Sequence, residues 1–255
     1  MAYSQKHRIF VGQDLSTGLE IVLGPEQTHY IRRVLRLRDT DTLLCFDGSG
    51  TSFIASIQNS QTKSLRLLLD CEYDFEIESL ARIHLVHALT KKPEKMLQKI
   101  TELGVTNIWP VSSQRSEVRL SPQRLEQKLH HWKGIIISAC EQAGRNRIPR
   151  LHAVGTFTEI VQNPPCETTY LFQPGAPAFN PAKHPQDTCL VIGPEGGWAE
   201  EELELAAQAG FISAGFGKNI LRADTAPMAA LSILQHTWKW QNTQYSASRP
   251  ICSSI

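Results

Sequence analysis

Two stretches near the C-terminal end decide how this chain is read: Cys189-Leu-Val-Ile-Gly-Pro-Glu-Gly-Gly-Trp-Ala-Glu-Glu-Glu-Leu203 and Phe216-Gly-Lys-Asn-Ile-Leu-Arg-Ala-Asp-Thr-Ala-Pro-Met-Ala-Ala-Leu231. The first runs from buried-strand residues (Leu190, Val191, Ile192) through a glycine turn (Gly193, Pro194, Gly196, Gly197) into a helix with an acidic first turn. The second is a glycine turn opening an alanine-rich helix, with Arg222 and Asp224 at the junction. Glycine accepts positive φ and carries no side chain, so such turns bring bare backbone amides up to a ligand. Taken singly, each also reads as the plain tight connection of an α/β fold. Two of them so near each other point to one pocket built from both. Neither is a nucleotide fingerprint. Gly215-Phe-Gly217 lacks the third glycine of G-x-G-x-x-G, and Gly217-Lys218 has neither the upstream P-loop glycine nor a following Ser or Thr.

Working outward, the surrounding sequence alternates strand and helix. Strands are expected over 83–89, 106–111, 150–154, 169–172, 188–192 and 211–215, and helices over 93–103, 122–143, 156–163, 199–209 and 225–240. Proline opens the first of these helices, and Gly104 and Gly144 close the first two. That alternation implies a mostly parallel sheet covered on both faces. Upstream of the acidic stretch 70–78 the pattern differs. Short apolar runs at 7–11, 19–23, 42–46, 51–58 and 64–71, separated by turns such as Asp47-Gly48-Ser49-Gly50, read as a small antiparallel barrel. Between them a helix is expected over 26–36, with Tyr30, Ile31, Val34 and Leu35 on one face and Arg32, Arg33 and Arg36 on others.

With 255 residues and 41% hydrophobic content, the chain is long enough for two domains with proper cores. No apolar run approaches the roughly 18 residues a membrane span needs, and residues 1–8 lack a signal-peptide core, so a soluble cytoplasmic protein with no membrane partner is expected. Six cysteines (45, 71, 140, 166, 189, 252) form no C-x-x-C pair and read as reduced packing thiols; no metal is expected. The net charge of +1 hides segregation: acid gathers at 70–78 and 200–204, arginine at 32, 33, 36 and 38 and again at 145, 147 and 150. Four arginines within seven residues, with no acid before Asp39, form a phosphate-seeking arrangement, although a charged helix face also reads as merely solvated.

The pair Ile-Gly-Pro-Glu-Gly-Gly (192–197) and Ile-Leu-Arg-x-Asp-Thr-Ala (220–226), in this order and spacing, resembles the RsmE family of ribosomal RNA methyltransferases, of the SPOUT class. The resemblance covers nearly the whole chain and implies an α/β fold. A SPOUT-type parallel sheet with a C-terminal trefoil knot occupies 79–240, a small PUA-like RNA-binding β-barrel precedes it at 1–75, and 241–255 is left as a polar tail. Nothing in periodicity or spacing shows a knot, which is a rare topology. The resemblance further implies a homodimer with its sites beside the subunit interface. It implies S-adenosylmethionine (SAM) held by three loops: Leu171, Phe172 and Gln173; Ile192, Gly193, Pro194, Glu195, Gly196 and Gly197; and Phe216, Gly217, Ile220 and Leu221. The implied product is 3-methyluridine at uridine 1498 of 16S rRNA, in the decoding region of the small ribosomal subunit. His29-Tyr-Ile-Arg-Arg-Val-Leu-Arg36 is similar to the family's His-x-x-Arg-Val-Leu-Arg segment, which makes Arg32, Arg33 and Arg36 expected RNA contacts. The chain departs from the family at Asp224, where Glu is commoner, at Pro227 within an Ala-rich run, and at Phe216, which replaces a smaller aliphatic and would narrow the adenine slot.

If the acceptor is uridine N3, its proton must leave, and the charge then spread over O2 and O4 needs stabilising. A guanidinium suits that task, so Arg222 is the expected catalytic residue. Asp224 reads as an N-cap, with Thr225, Ala226 and Pro227 opening the helix, and Glu195 as either a loop brace or a ligand contact. Glu200, Glu201 and Glu202 read as dipole partners of their helix. Glu141-Gln-Ala-Gly-Arg-Asn-Arg147 is similar to the family's Glu-Gln-x-x-Arg segment; it is a glycine helix stop, and Arg145 and Asn146 are expected RNA or active-site contacts. Lys91, Lys92 and Lys95 flank a strand end and are expected to meet phosphate, with Arg115 and Arg119 as weaker candidates. Met228, Leu231, Leu234 and Trp238 fall at helical spacing and suit either the core or the dimer interface. The alternatives are a SPOUT methyltransferase acting on another RNA and a non-catalytic RNA-binding or ribosome-assembly factor.

Overall fold

The computed structural model describes residues 7–39, 41–58, 64–74, 81–118, 121–238 and 249–251. The N-terminal apolar runs become β1 (Arg8–Phe10), β2 (Glu20–Val22), β3 (Thr42–Phe46), β4 (Ser52–Gln58) and β5 (Arg66–Asp74). Side-chain alternation sends Leu43, Cys45, Phe53, Ala55, Ile57, Leu67 and Leu69 to one core with Ile9, Ile21 and Ile31. Leu44, Ile54, Cys71 and Tyr73 form a smaller cluster of their own. β3, β4 and β5 are antiparallel neighbours, and β2 lies antiparallel on β5. The expectation of an all-antiparallel barrel fails at β1, which runs parallel to β3 with Arg8 opposite Leu44. Parallel neighbours need a crossover of roughly a dozen residues or more, and the chain between β1 and β3 supplies it.

That crossover contains α1 (Pro25–His29), followed by a π turn over Tyr30–Val34 in which the Leu35 N–H donates to the Tyr30 carbonyl at 3.0 Å. Widening the turn by one residue changes which side chains face inward. Ile31 is fully buried and Leu35 packs on the core, but Tyr30 and Val34 are 41% and 60% exposed. The expected shared face of Tyr30, Ile31, Val34 and Leu35 is therefore corrected. The segment ends at Arg36, which takes a left-handed φ of 57°.

Downstream, the alternating pattern yields β6 (Ile83–Ala88), α2 (Glu94–Glu102), β7 (Asn107–Ser112), α3 (Pro122–Ala143), β8 (Arg150–Leu151), β9 (Gly155–Thr156), α4 (Phe157–Gln162), β10 (Thr168–Phe172), β11 (Thr188–Ile192), α5 (Glu200–Gln208), β12 (Ile212–Ala214) and α6 (Ala226–Thr237). The sheet order is β12-β10-β11-β6-β7-β8, all parallel, with β9 beside β7. Val86, Val111, Leu171, Cys189 and Val191 form one core with Phe157 and Ile160 of α4, Ala206 of α5 and Trp198. α6 packs against α2 and β11, with Leu231 and Leu234 fully buried and Trp238 donating to the Ala182 carbonyl at 3.0 Å. Phe157 is 2% exposed, with its ring 4.4 Å from that of Trp198. Phe157→Ala is expected to destabilise the fold by about 3–5 kcal/mol, measurable by denaturant unfolding.

The chain divides into two units, 1–78 with 140–148 and 243–255, and 79–139 with 149–242. This differs from the expected boundaries in two places. Within the expected tail, a strand β13 (Arg249–Ile251) pairs antiparallel with β5; the rest of 241–255 lies outside the described residues. The end of α3 and the loop after it also belong with the N-terminal strands. There the Phe10 N–H donates to Glu141 Oε1 at 2.9 Å, Arg147 donates to the Ser49 carbonyl at 2.5 Å, and Arg8 donates to Asn146. Arg145 and Asn146, expected as RNA or active-site contacts, are 3% and 2% exposed, and this segment braces the N-terminal unit. Cys71 is disulfide-bonded, whereas Cys45, Cys140, Cys166 and Cys189 are free, so the reading of all six cysteines as reduced is corrected at Cys71. No helix among the described residues is long and apolar enough to cross a membrane.

Candidate active site

β12, β10 and β11 are adjacent and parallel, and their register sets Ala214, Phe172 and Ile192 side by side. The three loops that follow therefore leave from one edge of the sheet, the carboxyl edge where open α/β sheets bind ligands. Those loops carry all three groups of expected cofactor residues. Leu171, Phe172 and Ile192 are buried strand ends, Pro194 is buried, and Glu195, Gly196, Gly217 and Ile220 are exposed around the rim, Ile220 at 77%.

The loops are tied to one another by main-chain bonds. The Gln173 N–H donates to the Ala214 carbonyl at 2.9 Å, Gly215 N–H to Pro177 O at 2.8 Å, and Phe179 N–H to Gly215 O at 2.9 Å. A Cβ at Gly215 would sit 2.9 Å from the Ala176 carbonyl oxygen and 3.1 Å from that of Gln173, so glycine is needed there for close backbone approach. At Gly193 a Cβ would come 3.0 Å from the Trp198 indole, which itself donates to the Phe172 carbonyl at 3.1 Å and fastens the first turn to β10. Gly197 and Gly217 take positive φ, 68° and 73°. Phe216 stacks on Phe172 with ring centroids 4.9 Å apart and 16° between planes, so the buried Phe172 ring backs that of Phe216.

The back of the first turn rests on the loop after β7. Glu202, 4% exposed, accepts from the Gln114 N–H and the Ala199 N–H, both at 2.9 Å. Its expected role as a dipole partner becomes a clamp between α5 and that loop. Arg115 donates to the Gly196 carbonyl at 3.3 Å, which places this weaker candidate at the turn itself. Lys91 forms a 2.6 Å ion pair with Glu117, both exposed; the pair raises the lysine pKa and lowers the carboxylate pKa, so any phosphate must compete with Glu117. Lys95 is exposed on α2. Arg33 and Arg36 are exposed and Arg32 is half-buried, while Arg119 lies outside the described residues.

At the second turn the Thr225 and Ala226 N–H groups both donate to the Arg222 carbonyl at 2.9 Å. This backbone closure leaves Thr225 in the cap position of α6, without a side-chain cap bond. Asp224, expected as the N-cap, instead accepts from the Thr225 hydroxyl at 3.2 Å. Pro227 falls in the first helical turn, where its missing N–H costs nothing. Arg222 and Asp224 are exposed, and Ala223 between them is buried. The Ala223 carbonyl is held by His87, at the end of β6, whose Nε2 lies 2.9 Å away. His87 is 4% exposed, and burial holds its pKa below the ordinary histidine value against the Ala223 and Ala88 carbonyls and the Glu195 and Asp224 carboxylates. Sequence reasoning passed over His87. The signal was there: a histidine in the same phase of an apolar strand as Ile83 and Leu85.

Comparison with known proteins agrees with this geometry. Residues 76–235 match a family model described as an RNA methyltransferase domain, and 23–70 match one described as an RNA methyltransferase PUA domain. The chain is 33% identical to the ribosomal RNA small subunit methyltransferase E of Buchnera aphidicola subsp. Schizaphis graminum, over 89% of this chain and 95% of that one. It is 30% identical to the Bacillus subtilis protein of the same name, over 83% and 88%. Its fold superposes on a ribosomal RNA small subunit methyltransferase E from Neisseria gonorrhoeae, solved bound to S-adenosyl methionine, with a TM-score of 0.84 and 33% identity over 92% and 98% of the two chains. Likeness of this breadth, reaching from the N-terminal strands to α6, places the chain in the ribosomal RNA small subunit methyltransferase E family.

Proposed function

We propose that this protein methylates N3 of uridine 1498 in 16S rRNA of the small ribosomal subunit, with SAM as methyl donor. The observation that carries the reading is the meeting of the three loops at the carboxyl edge of β12, β10 and β11, with Arg222 exposed beside them. The residues present fit SAM. The Phe216 ring, backed by Phe172, offers an apolar face to an adenine, and the close approach of backbone at Gly215 locks the loops after β10 and β12 together around that place. When bound there, SAM supplies an electrophilic methyl on a positively charged sulfur.

The chain's own residues supply position and charge. The braced loops hold the reacting groups in line, the main requirement of such a transfer. The Arg222 guanidinium stabilises the negative charge on uracil O2 and O4 as the N3 proton leaves. Glu195 and Asp224, exposed on the two turns, are the carboxylates nearest that chemistry in the sequence motifs. The N-terminal strands act as the RNA-binding module through Arg32, Arg33 and Arg36, supported by the PUA family match over 23–70. The same reading includes a trefoil knot in the C-terminal part, a homodimer and a cytoplasmic location.

The test is transfer of labelled methyl from SAM to small ribosomal subunits lacking the modification, followed by nucleoside analysis. 3-Methyluridine is the expected product. Transfer to a different nucleoside would move the assignment to another RNA target, and intact RNA binding without SAM binding would favour an assembly factor. Arg33→Ala with Arg36→Ala is expected to weaken RNA binding and reduce the slope of log K against log salt by about 2, roughly one for each phosphate no longer neutralised, with SAM binding unchanged.

A further inference from the structure

Beyond the residues that the two glycine turns themselves supply, one buried side chain links them. His87 sits opposite Ile192 in the β6–β11 register, so its backbone is fixed beside the strand end from which the first turn departs. Its side chain reaches the second turn, with Nε2 2.9 Å from the Ala223 carbonyl oxygen. A carbonyl only accepts, so Nε2 carries the proton. The bond falls on the residue between Arg222 and Asp224, and Ala223 is 8% exposed while both neighbours are exposed. Holding that one carbonyl inward anchors to β6 the turn that carries Arg222.

We propose that His87 is a positioning residue for the methyl transfer, setting the Arg222–Asp224 turn against the 192–197 turn and so aiming the Arg222 guanidinium at the reacting base. This role rests on the reading of Arg222 as the catalytic group. The backbone bonds to the Arg222 carbonyl close the turn locally but do not tie it to the sheet; the His87 bond does. The buried ring stays neutral at physiological pH, which leaves Nε2 a donor with one proton and one partner.

The experiment compares His87→Ala and His87→Gln, each alone and combined with Arg222→Ala. Its readouts are kcat, KM for the small subunit, SAM affinity by calorimetry and melting temperature. His87→Ala is expected to lower kcat by about 100-fold, the cost of misplacing a catalytic group by about an ångström, with KM and SAM affinity little changed. His87→Gln, whose amide N–H can reach the same carbonyl, restores most of the rate. In the Arg222→Ala background, His87→Ala produces no further loss, because residues acting through one another are not additive. Additive loss in the double variant, failure of glutamine to rescue, or a fall in SAM affinity as large as the fall in kcat would each overturn the proposal. Should the alanine variant not fold, the folded glutamine variant decides: wild-type rate supports positioning and an inactive enzyme refutes it. If neither variant folds, His87 is structural and the proposal falls. Arg222→Ala at wild-type rate would instead remove the catalytic reading itself, an outcome seen before His87 is altered.

Discussion

Arg222→Ala is expected to slow methyl transfer by about 100- to 1000-fold, the usual cost of removing one preorganised donor from a developing oxyanion. The side chain is exposed on the second glycine turn, while its own carbonyl accepts from Thr225 and Ala226 at 2.9 Å. The turn is thus closed by backbone, and truncating the side chain leaves it standing. SAM and RNA binding should persist, so the loss appears in kcat under saturating substrate. Arg222→Lys keeps the charge but not the planar fork, and should recover only part of the rate. Single-turnover transfer to unmodified subunits, with SAM binding measured separately by calorimetry, checks both variants. Wild-type turnover in Arg222→Ala would strip the residue of its role.

Gly215→Ala is expected to abolish measurable SAM binding and to destabilise the C-terminal unit by about 1–3 kcal/mol, the usual range for an overpacked site. The cause is steric. The added methyl would meet the Ala176 and Gln173 carbonyl oxygens at 2.9 and 3.1 Å, and both belong to backbone already fixed by hydrogen bonds to β12 and the residues around it. Relief requires the loop after β10 to move away from the loop after β12, and both loops carry proposed SAM contacts. Gly193→Ala offers a graded comparison, since its obstacle is the Trp198 indole at 3.0 Å, a side chain held by one hydrogen bond to the Phe172 carbonyl. Calorimetric SAM titration and thermal melting of both variants test this, and unchanged SAM affinity in Gly215→Ala would move the adenine site elsewhere.

Much of this site was legible before the fold was known. α3 runs from Pro122 to Ala143, β3 from Thr42 to Phe46 and β11 from Thr188 to Ile192, each with the bounds that periodicity, proline and glycine implied. Those signals are local: a 3.6-residue apolar stripe, a strand of unbroken Val, Ile and Leu, a glycine at a forced turn. The two glycine turns were equally visible because their backbone demands are written in residue type.

The signals that failed depend on partners far along the chain. The burial of Arg145 and Asn146 had no local signal, since Asn146 packs against Arg8 from 138 positions away. Tyr30 and Val34 left the core face because one wide turn shifted their phase, a choice made by the packing of Ile31 and Leu35 and not by propensity. Glu202 and His87 drew little notice, since a glutamate in a first helical turn and a histidine in an apolar strand each have ordinary explanations. Only the tertiary structure brings Glu202 to Gln114 and His87 to Ala223. The sequence by itself thus determined most of the elements, the parallel sheet and the two glycine turns at its edge, because each follows from short-range periodicity and backbone freedom. The fold alone decided which polar side chains are buried as braces and which remain exposed to act, because burial is set by residues that the sequence places far apart.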